Sequence, residues 1–237
     1  MSFYQQLSEY YDEIFAVQPG ELRFLAEQVH GKKRLLDMGC GTGNKTVHFS
    51  SPTNSIVAID LDAGMIARAR EAHARDTIRY EVIDMLAVDE HFARSSFDGM
   101  LCLGNTLVHL DSPAAIGKLL GKTHALLAPE GRLVLQILNY DRIIALNVEN
   151  LPEIDTEHTV FKRRYAWKNG MLRFITTIVV KKNGEALTSD IPLYPLRKGE
   201  LTELLEGAGY AGLTYYGGFQ GEPHDENSFV TIAVCEK

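Results

Sequence analysis

Features that mark several protein classes are scarce in this chain. Cysteine is one: Cys40, Cys102 and Cys235 are the only three in 237 residues. They lie far apart with no CxxC pair, which argues against a disulfide scaffold or a zinc site and fits a reducing compartment. No apolar run approaches the roughly 20 residues of a membrane helix, and the first residues hold no apolar signal core. A cytoplasmic protein without a membrane partner is therefore expected. Positive charge is sparse, with a net charge of -7. Lys162-Arg163-Arg164 is the nearest approach to a basic cluster and reads as a solvated strand end, so no nucleic-acid partner is expected. Internal repeats, low-complexity tracts and metal-ligand spacings are missing.

What is present suffices for one domain with a full core, or one domain carrying an insertion: 45% of the residues are hydrophobic. The pattern predicts helices over Phe3 to Phe15 and Glu21 to Val29, with Gly31 ending the second. Short apolar runs bounded by glycine or acid suit strands buried on both faces. They fall at Arg34 to Gly39, Ser55 to Asp60, Ile78 to Asp84, Phe97 to Gly104 and Gly131 to Asn139. Asp62 caps a helix from Ala63 to about Ala74. Ser112 with Pro113 starts another that runs to about Leu127. Strands alternating with helices imply a parallel sheet with right-handed crossovers. Beyond Asn139 the style changes. His158 to Tyr194 reads as an antiparallel meander with hairpin turns at Asn169-Gly170 and Asn183-Gly184. A helix over Lys198 to Gly207 follows, with Gly209 at its C-cap. Gly212 to Phe219 and Ser228 to Glu236 read as an antiparallel edge hairpin.

The strongest motif is Leu36-Asp37-Met38-Gly39-Cys40-Gly41-Thr42-Gly43, placed between a buried strand and an expected helix. Glycines there permit a tight turn and a close approach of ligand to backbone. In open α/β sheets ligands sit beyond the carboxyl ends of the strands. The spacing is G-x-G-x-G, whereas a dinucleotide fingerprint requires G-x-G-x-x-G, and Asn44 stands at its last position. Asp60 ends the second strand, near the separation expected of a ribose-binding acid. A carboxylate there accepts from both ribose hydroxyls. Asp84-Met85 ends the third strand on the same edge, offering an acceptor for an adenine amino group and an apolar wall.

Together these residues resemble the seven-stranded class I methyltransferases. Leu36 to Gly43 looks like that family's glycine-rich motif, Asp60 like its ribose acid and Asp84-Met85 like its adenine contact. The stretch Leu103-Gly104-Asn105-Thr106 with His109 looks similar to the glycine N-methyltransferase group, which has a Leu-Gly-Asn-Ser motif followed by a histidine; threonine replaces the serine here. Asn139-Tyr140-Asp141 and Tyr194-Pro195 are further matches. The resemblance implies an α/β, doubly wound, mostly parallel sheet in the order 3-2-1-4-5-7-6, with the seventh strand antiparallel. It also implies S-adenosylmethionine as cofactor. The expected cofactor contacts are Tyr11, Gly39, Cys40, Gly41, Asp60, Leu61, Asp84, Met85, Leu103 and Gly104.

For the methyl acceptor, Asn105, His109 and Tyr140 are the candidate catalytic residues. Asn105, Asn139, Tyr140, Arg173 and Tyr194 are the candidate substrate contacts. His109 reads either as a general base or as a histidine bonded to backbone near the cofactor. Phe161, Arg163, Tyr165 and Trp167 share one strand face by alternation, a face suited to an acceptor carboxylate under an aromatic lid. Of Tyr4, Tyr10 and Tyr11 in the first helix, Tyr11 is preferred as a sulfonium contact, worth roughly 0.5 to 2 kcal/mol.

The expected organisation is an N-terminal helical cap over residues 1–30, a cofactor-binding domain over 31–140 and 196–237, and a covering insertion over 141–195. The partner is a small-molecule acceptor, and the chain is a monomer or homodimer. Rival readings are a methyltransferase of a protein or RNA, a non-catalytic S-adenosylmethionine-binding module, and a nicotinamide oxidoreductase.

Overall fold

A computed structural model describes residues 7–168 and 171–237. Tyr4, the predicted helix start at Phe3 and the Asn169-Gly170 turn lie outside the described residues.

Among the described residues the elements are α1 (Tyr11–Ile14) and α2 (Pro19–Gln28), then β1 (Arg34–Met38), β2 (Ser55–Asp60), α3 (Ala63–Ala72), β3 (Ile78–Val82), α4 (Val88–His91) and β4 (Phe97–Cys102). Next come α5 (Pro113–Leu126), β5 (Leu127–Leu138) and α6 (Tyr140–Ala145). Four strands follow, β6 (Asn150–Asp155), β7 (Thr159–Lys168), β8 (Met171–Val180) and β9 (Ala186–Leu193). The chain closes with α7 (Lys198–Gly207), β10 (Ala211–Tyr216) and β11 (Val230–Glu236).

A 7-stranded sheet runs β10-β11-β5-β4-β1-β2-β3. With the four inserted strands set aside, this is the expected order. β1 to β5 are parallel, and β11 enters antiparallel between β5 and β10. Adjacent residues of β1 serve opposite faces of the sheet. Leu35 packs with Phe24 and Leu25 of α2 and with Val134 and Ile232, whereas Leu36 packs with Leu119 and Leu120 of α5 and Leu205 of α7. Burial on both faces explains why these strands read as unbroken apolar runs. Asp62 caps α3 by accepting from Gly64 N and Met65 N at 2.8 and 3.0 Å, and Ser112 caps α5 through Ala115 N.

Several boundaries differ from the sequence reading. The first predicted helix is interrupted by a turn over residues 8–10, leaving the short α1. Here tertiary contacts outweigh helix continuity, because so short a helix has little stability of its own. Asp12 accepts from the Thr42 hydroxyl, and Asn44 donates to the Phe15 carbonyl. The glycine-rich loop leads into a 3-10 turn at Thr46–Phe49 rather than an α-helix. The meander has one more strand than expected, β6, and α6 precedes it; both were missed. β8 and β9 are joined by a loop over residues 181–185, not a two-residue turn at Asn183-Gly184, and Gly184 alone of that pair has positive φ. Among the described residues no helix is long and apolar enough to cross a membrane.

The second sheet, β6-β7-β8-β9, is wholly antiparallel. One face of it lies over the carboxyl edge of the large sheet, with Tyr165, Leu172 and Leu193 packed into the main core.

Candidate active site

A cavity of about 430 Å³ lies between the two sheets, an ordinary size for a small-molecule site. Its floor is the carboxyl edge of the parallel strands. Gly39 and Gly41 follow β1, while Asp60, Leu61 and Asp62 end or follow β2. Asp84 and Met85 follow β3, and Gly104, Thr106 and His109 follow β4. Leu7, Tyr11 and Phe15 form a wall, and Phe161, Phe174, Thr176, Ser189 and Ile191 of the inserted sheet form the roof.

The loop after β1 is held in one shape from both sides. Gly41 N donates to Asp60 Oδ2 at 2.9 Å, and Gly39 N and Cys40 N both donate to the Ile59 carbonyl. Gly41 has φ +57, and a Cβ there would stand 3.2 Å from the Tyr11 ring. Gly43 also has positive φ, but a Cβ there would meet the Tyr80 ring at 2.6 Å, so that glycine serves packing and not the cavity.

Asp60 is fixed on a second side, its Oδ1 accepting from Asp62 N at 2.9 Å. Backbone N–H groups thus hold the carboxylate from more than one side. Burial raises the Asp60 pKa, opposed by the N–H groups of Asp62 and Gly41. Beside it Leu61 is 71% exposed, an apolar side chain on the cavity lining. Asp84 accepts from Leu86 N at 2.8 Å, which holds its carboxylate at the end of β3.

The charge balance of the lining suits a cation. Asp60, Asp62 and Asp84 face it, while Lys45, the one lysine of the lining among the described residues, is paired with Glu21 at 2.6 Å. The rings of Tyr11 and Phe15 stand 4.7 Å apart on the wall. At the end of β4, Gly104 adopts φ +68 with nothing within 4 Å of where a Cβ would be. The β1 loop, the β2 acid and the open Gly104 backbone thus share one rim of the cavity.

Residues 35–131 match the family model described as "Methyltransferase domain". A glycine/sarcosine N-methyltransferase of Aphanothece halophytica is 28% identical over 230 residues, covering 92% of this chain and 81% of that one. These similarities support an S-adenosylmethionine-dependent methyltransferase. Its fold is shared with an S-adenosylmethionine-dependent methyltransferase of Clostridium acetobutylicum, with TM-score 0.82, 14% identity and 99% of each chain covered. It is shared too with an S-adenosylmethionine-bound amino pentose methyltransferase of Micromonospora echinaspora, with TM-score 0.64, 20% identity, and 100% of this chain and 92% of that one covered.

Of the residues singled out from the sequence of this methyltransferase, Tyr11, Gly39, Gly41, Asp60, Leu61, Asp84, Met85, Gly104 and His109 meet at the cavity. The others stand back from it. Cys40 is buried, its thiol within reach of the Gly41 carbonyl. Leu103 is buried in the α2 layer. Asn105 braces the strand ends, accepting from Leu138 N at 2.9 Å and donating to Tyr140 Oη at 3.0 Å. Tyr140 is 1% exposed, and burial raises its pKa far above the ordinary phenol value. Asn139 is also 1% exposed. It caps α6 through Arg142 N and donates to the Ser228 carbonyl at 3.0 Å. The Tyr194 hydroxyl donates to Glu200 at 2.8 Å, at the start of α7.

Arg173 is on the outer face of the inserted sheet, bonded to Asp190 Oδ1 and to its carbonyl at 2.8 and 2.9 Å. Sequence reasoning missed Thr176, Ser189, Phe174 and Ile191 on the inner face. The signal was strand parity: Lys168 pairs with Met171, so Arg173 falls opposite Ala166 and only even-numbered β8 residues share a face with Phe161 and Arg163. His109 presents an accessible surface to the cavity, and desolvation lowers its pKa, leaving the imidazole neutral near pH 7.

Proposed function

We propose that this methyltransferase N-methylates a small amine or amino acid inside the roofed cavity. The observation that carries the reading is the closure itself. The inserted sheet covers the carboxyl edge where Gly104 and His109 stand, so cofactor and acceptor must meet in a space of about 430 Å³. A macromolecular acceptor would have to reach past that roof. The glycine/sarcosine N-methyltransferase named among the similar proteins supports a nitrogen acceptor.

In this reading Asp60 takes the ribose hydroxyls, Leu61 and Met85 flank the adenine, and Asp84 accepts from its amino group. Gly39, Gly41 and Gly104 offer bare backbone to the methionine portion, with Tyr11 against the sulfonium. When bound, S-adenosylmethionine supplies a methyl group on a positive sulfur, so no covalent enzyme intermediate is needed. The chain's tasks are then to orient the nucleophile and exclude water, which supply on the order of 7 to 11 kcal/mol. Asn105 and Tyr140 act behind the surface by fixing the ends of β4 and β5. His109 is the group placed to take a proton from an acceptor that arrives as an ammonium. Residues 1–30 serve as the wall, 31–140 and 196–237 as the cofactor domain, and 141–195 as the cover.

The test is a panel of amino acids, amines and small phenols with S-adenosylhomocysteine release as readout. Turnover of amines is expected. Turnover confined to protein or RNA would overturn the reading.

A further inference from the structure

Floor and roof of the cavity differ in chemistry. The floor carries Asp60, Asp62 and Asp84, whereas the roof carries three large apolar side chains, Phe161, Phe174 and Ile191, with the hydroxyls of Thr176 and Ser189 among them. Strand register produces that roof. Thr176 pairs with Ser189, and the flanking rows on the same face are Ile178 with Leu187 and Phe174 with Ile191. The Phe161 ring belongs to the cluster of Leu7 and Met65, both of which also line the cavity.

Positive charge is turned away from this space. Among the described residues Lys45 is the one lysine or arginine of the lining, and it is paired with Glu21 at 2.6 Å. The arginines of the inserted sheet are engaged elsewhere. Arg173 holds Asp190 at 2.8 Å on the outer face, and Arg164 is exposed on that same face. Arg163 donates to the Pro152 carbonyl at 2.7 Å and does not line the cavity. Residues 1–6 and 169–170 contain no lysine or arginine. Desolvation lowers the pKa of His109, so it adds no positive charge near pH 7. The three aspartates outnumber the single net positive charge that a bound cofactor brings. A carboxylate under this roof would be desolvated without a counter-charge, a costly placement for an ion. An apolar group in the same place gains by leaving water.

We propose that the roof forms an acceptor subsite for an amine with an apolar body and no acid group. Phe161, Phe174 and Ile191 cover the body, and Ser189 offers it a neutral hydrogen bond. The subsite rests on the small-molecule reading above and narrows it by excluding the free amino acids. In this the chain parts from relatives named for glycine and sarcosine.

The test uses two series of matched shape: leucine, its amide and isopentylamine, and phenylalanine, its amide and phenethylamine. Glycine is the small acid. Each is titrated calorimetrically into the protein saturated with S-adenosylhomocysteine and also assayed for methyl transfer. In at least one series the amide and the acid-free amine are expected to bind roughly 10-fold or more tightly than the acid. Ile191→Thr keeps the branched shape on an edge strand but adds a hydroxyl. It should weaken the acid-free ligands and raise their KM several-fold with little change in kcat, while S-adenosylhomocysteine affinity stays within about two-fold of the parent. Phe174→Leu is the second variant, with the same expectation for phenethylamine. Variants that lower Tm but leave ligand binding unchanged would make both side chains merely structural and overturn the subsite. So would acids that bind as tightly as their amides in both series, or no binding of any acid-free ligand. A loss confined to cofactor affinity would assign the roof to the cofactor, with the same consequence. Methylation of glycine or leucine with no gain from removing the acid would uphold the reaction and overturn the subsite. Acid-free amines that bind as expected and are not methylated would uphold the subsite and overturn only the proposed reaction.

Discussion

Replacing Asn139 with alanine should cost stability more than it costs chemistry. The side chain is 1% exposed and joins two parts of the fold. Its Oδ1 accepts from Arg142 N at 3.2 Å, the N-cap bond of α6. Its Nδ2 donates to the carbonyls of Ser228, Asp225 and Glu226 at 3.0, 3.3 and 3.5 Å, tying down the segment before β11. An N-cap lost to alanine costs about 1 kcal/mol. Leaving carbonyls without their donor adds roughly 1 to 3 kcal/mol, toward the lower end here because the 225–227 loop is exposed and water can reach it. The sum is about 2 to 3 kcal/mol, which for a chain of this size lowers Tm by roughly 5 to 10 °C. Asn139→Ser keeps the cap acceptor without the amide and should recover about 1 kcal/mol of the loss. Urea and thermal unfolding without ligand measure the effect, and calorimetry with S-adenosylhomocysteine and acceptor separates it from binding. Unchanged unfolding, within about 0.5 kcal/mol, together with a raised acceptor KM would refute this and return Asn139 to the acceptor surface.

Two other perturbations probe the floor of the cavity. Asp60→Ala removes both the carboxylate offered to the ribose and the anchor of Gly41 N, so cofactor affinity should fall by roughly 30-fold or more; calorimetry showing parental affinity would contradict the assignment. Asp37 is buried, and desolvation lifts its pKa to about 6, opposed first by the Thr46 hydroxyl at 2.6 Å. Its protonated form therefore suits the folded state better than the unfolded one. That contribution is complete below about pH 4 and is lost as pH rises through 6. Asp37→Asn, which keeps a carbonyl for Thr46, should raise stability at pH 8 by up to about 3 kcal/mol and flatten the pH dependence between 4 and 6. A variant no more stable at pH 8 would show that the charge is compensated.

Residue order alone determined the large sheet and its ligand edge. Runs such as Ser55 to Asp60, short, rich in β-branched residues and bounded by turn signals, read as strands buried on both faces, and helices between them imply parallel crossovers. Glycines at 39 and 41 and an acid at 60 follow from that, because strand ends gather at one edge whatever the distances along the chain. The tertiary structure decided what each polar group near that edge does. Asn139, Tyr140 and Tyr194 stand in short motifs read from the sequence as acceptor contacts, yet their side chains are used up inside the fold. The roof is the plainest case. Pairing of β7, β8 and β9 is a contact between distant residues, and a shift of one position exchanges the two faces of a strand. That pairing turns Arg173 outward to Asp190 and sets Phe174 and Thr176 on the face that roofs the cavity.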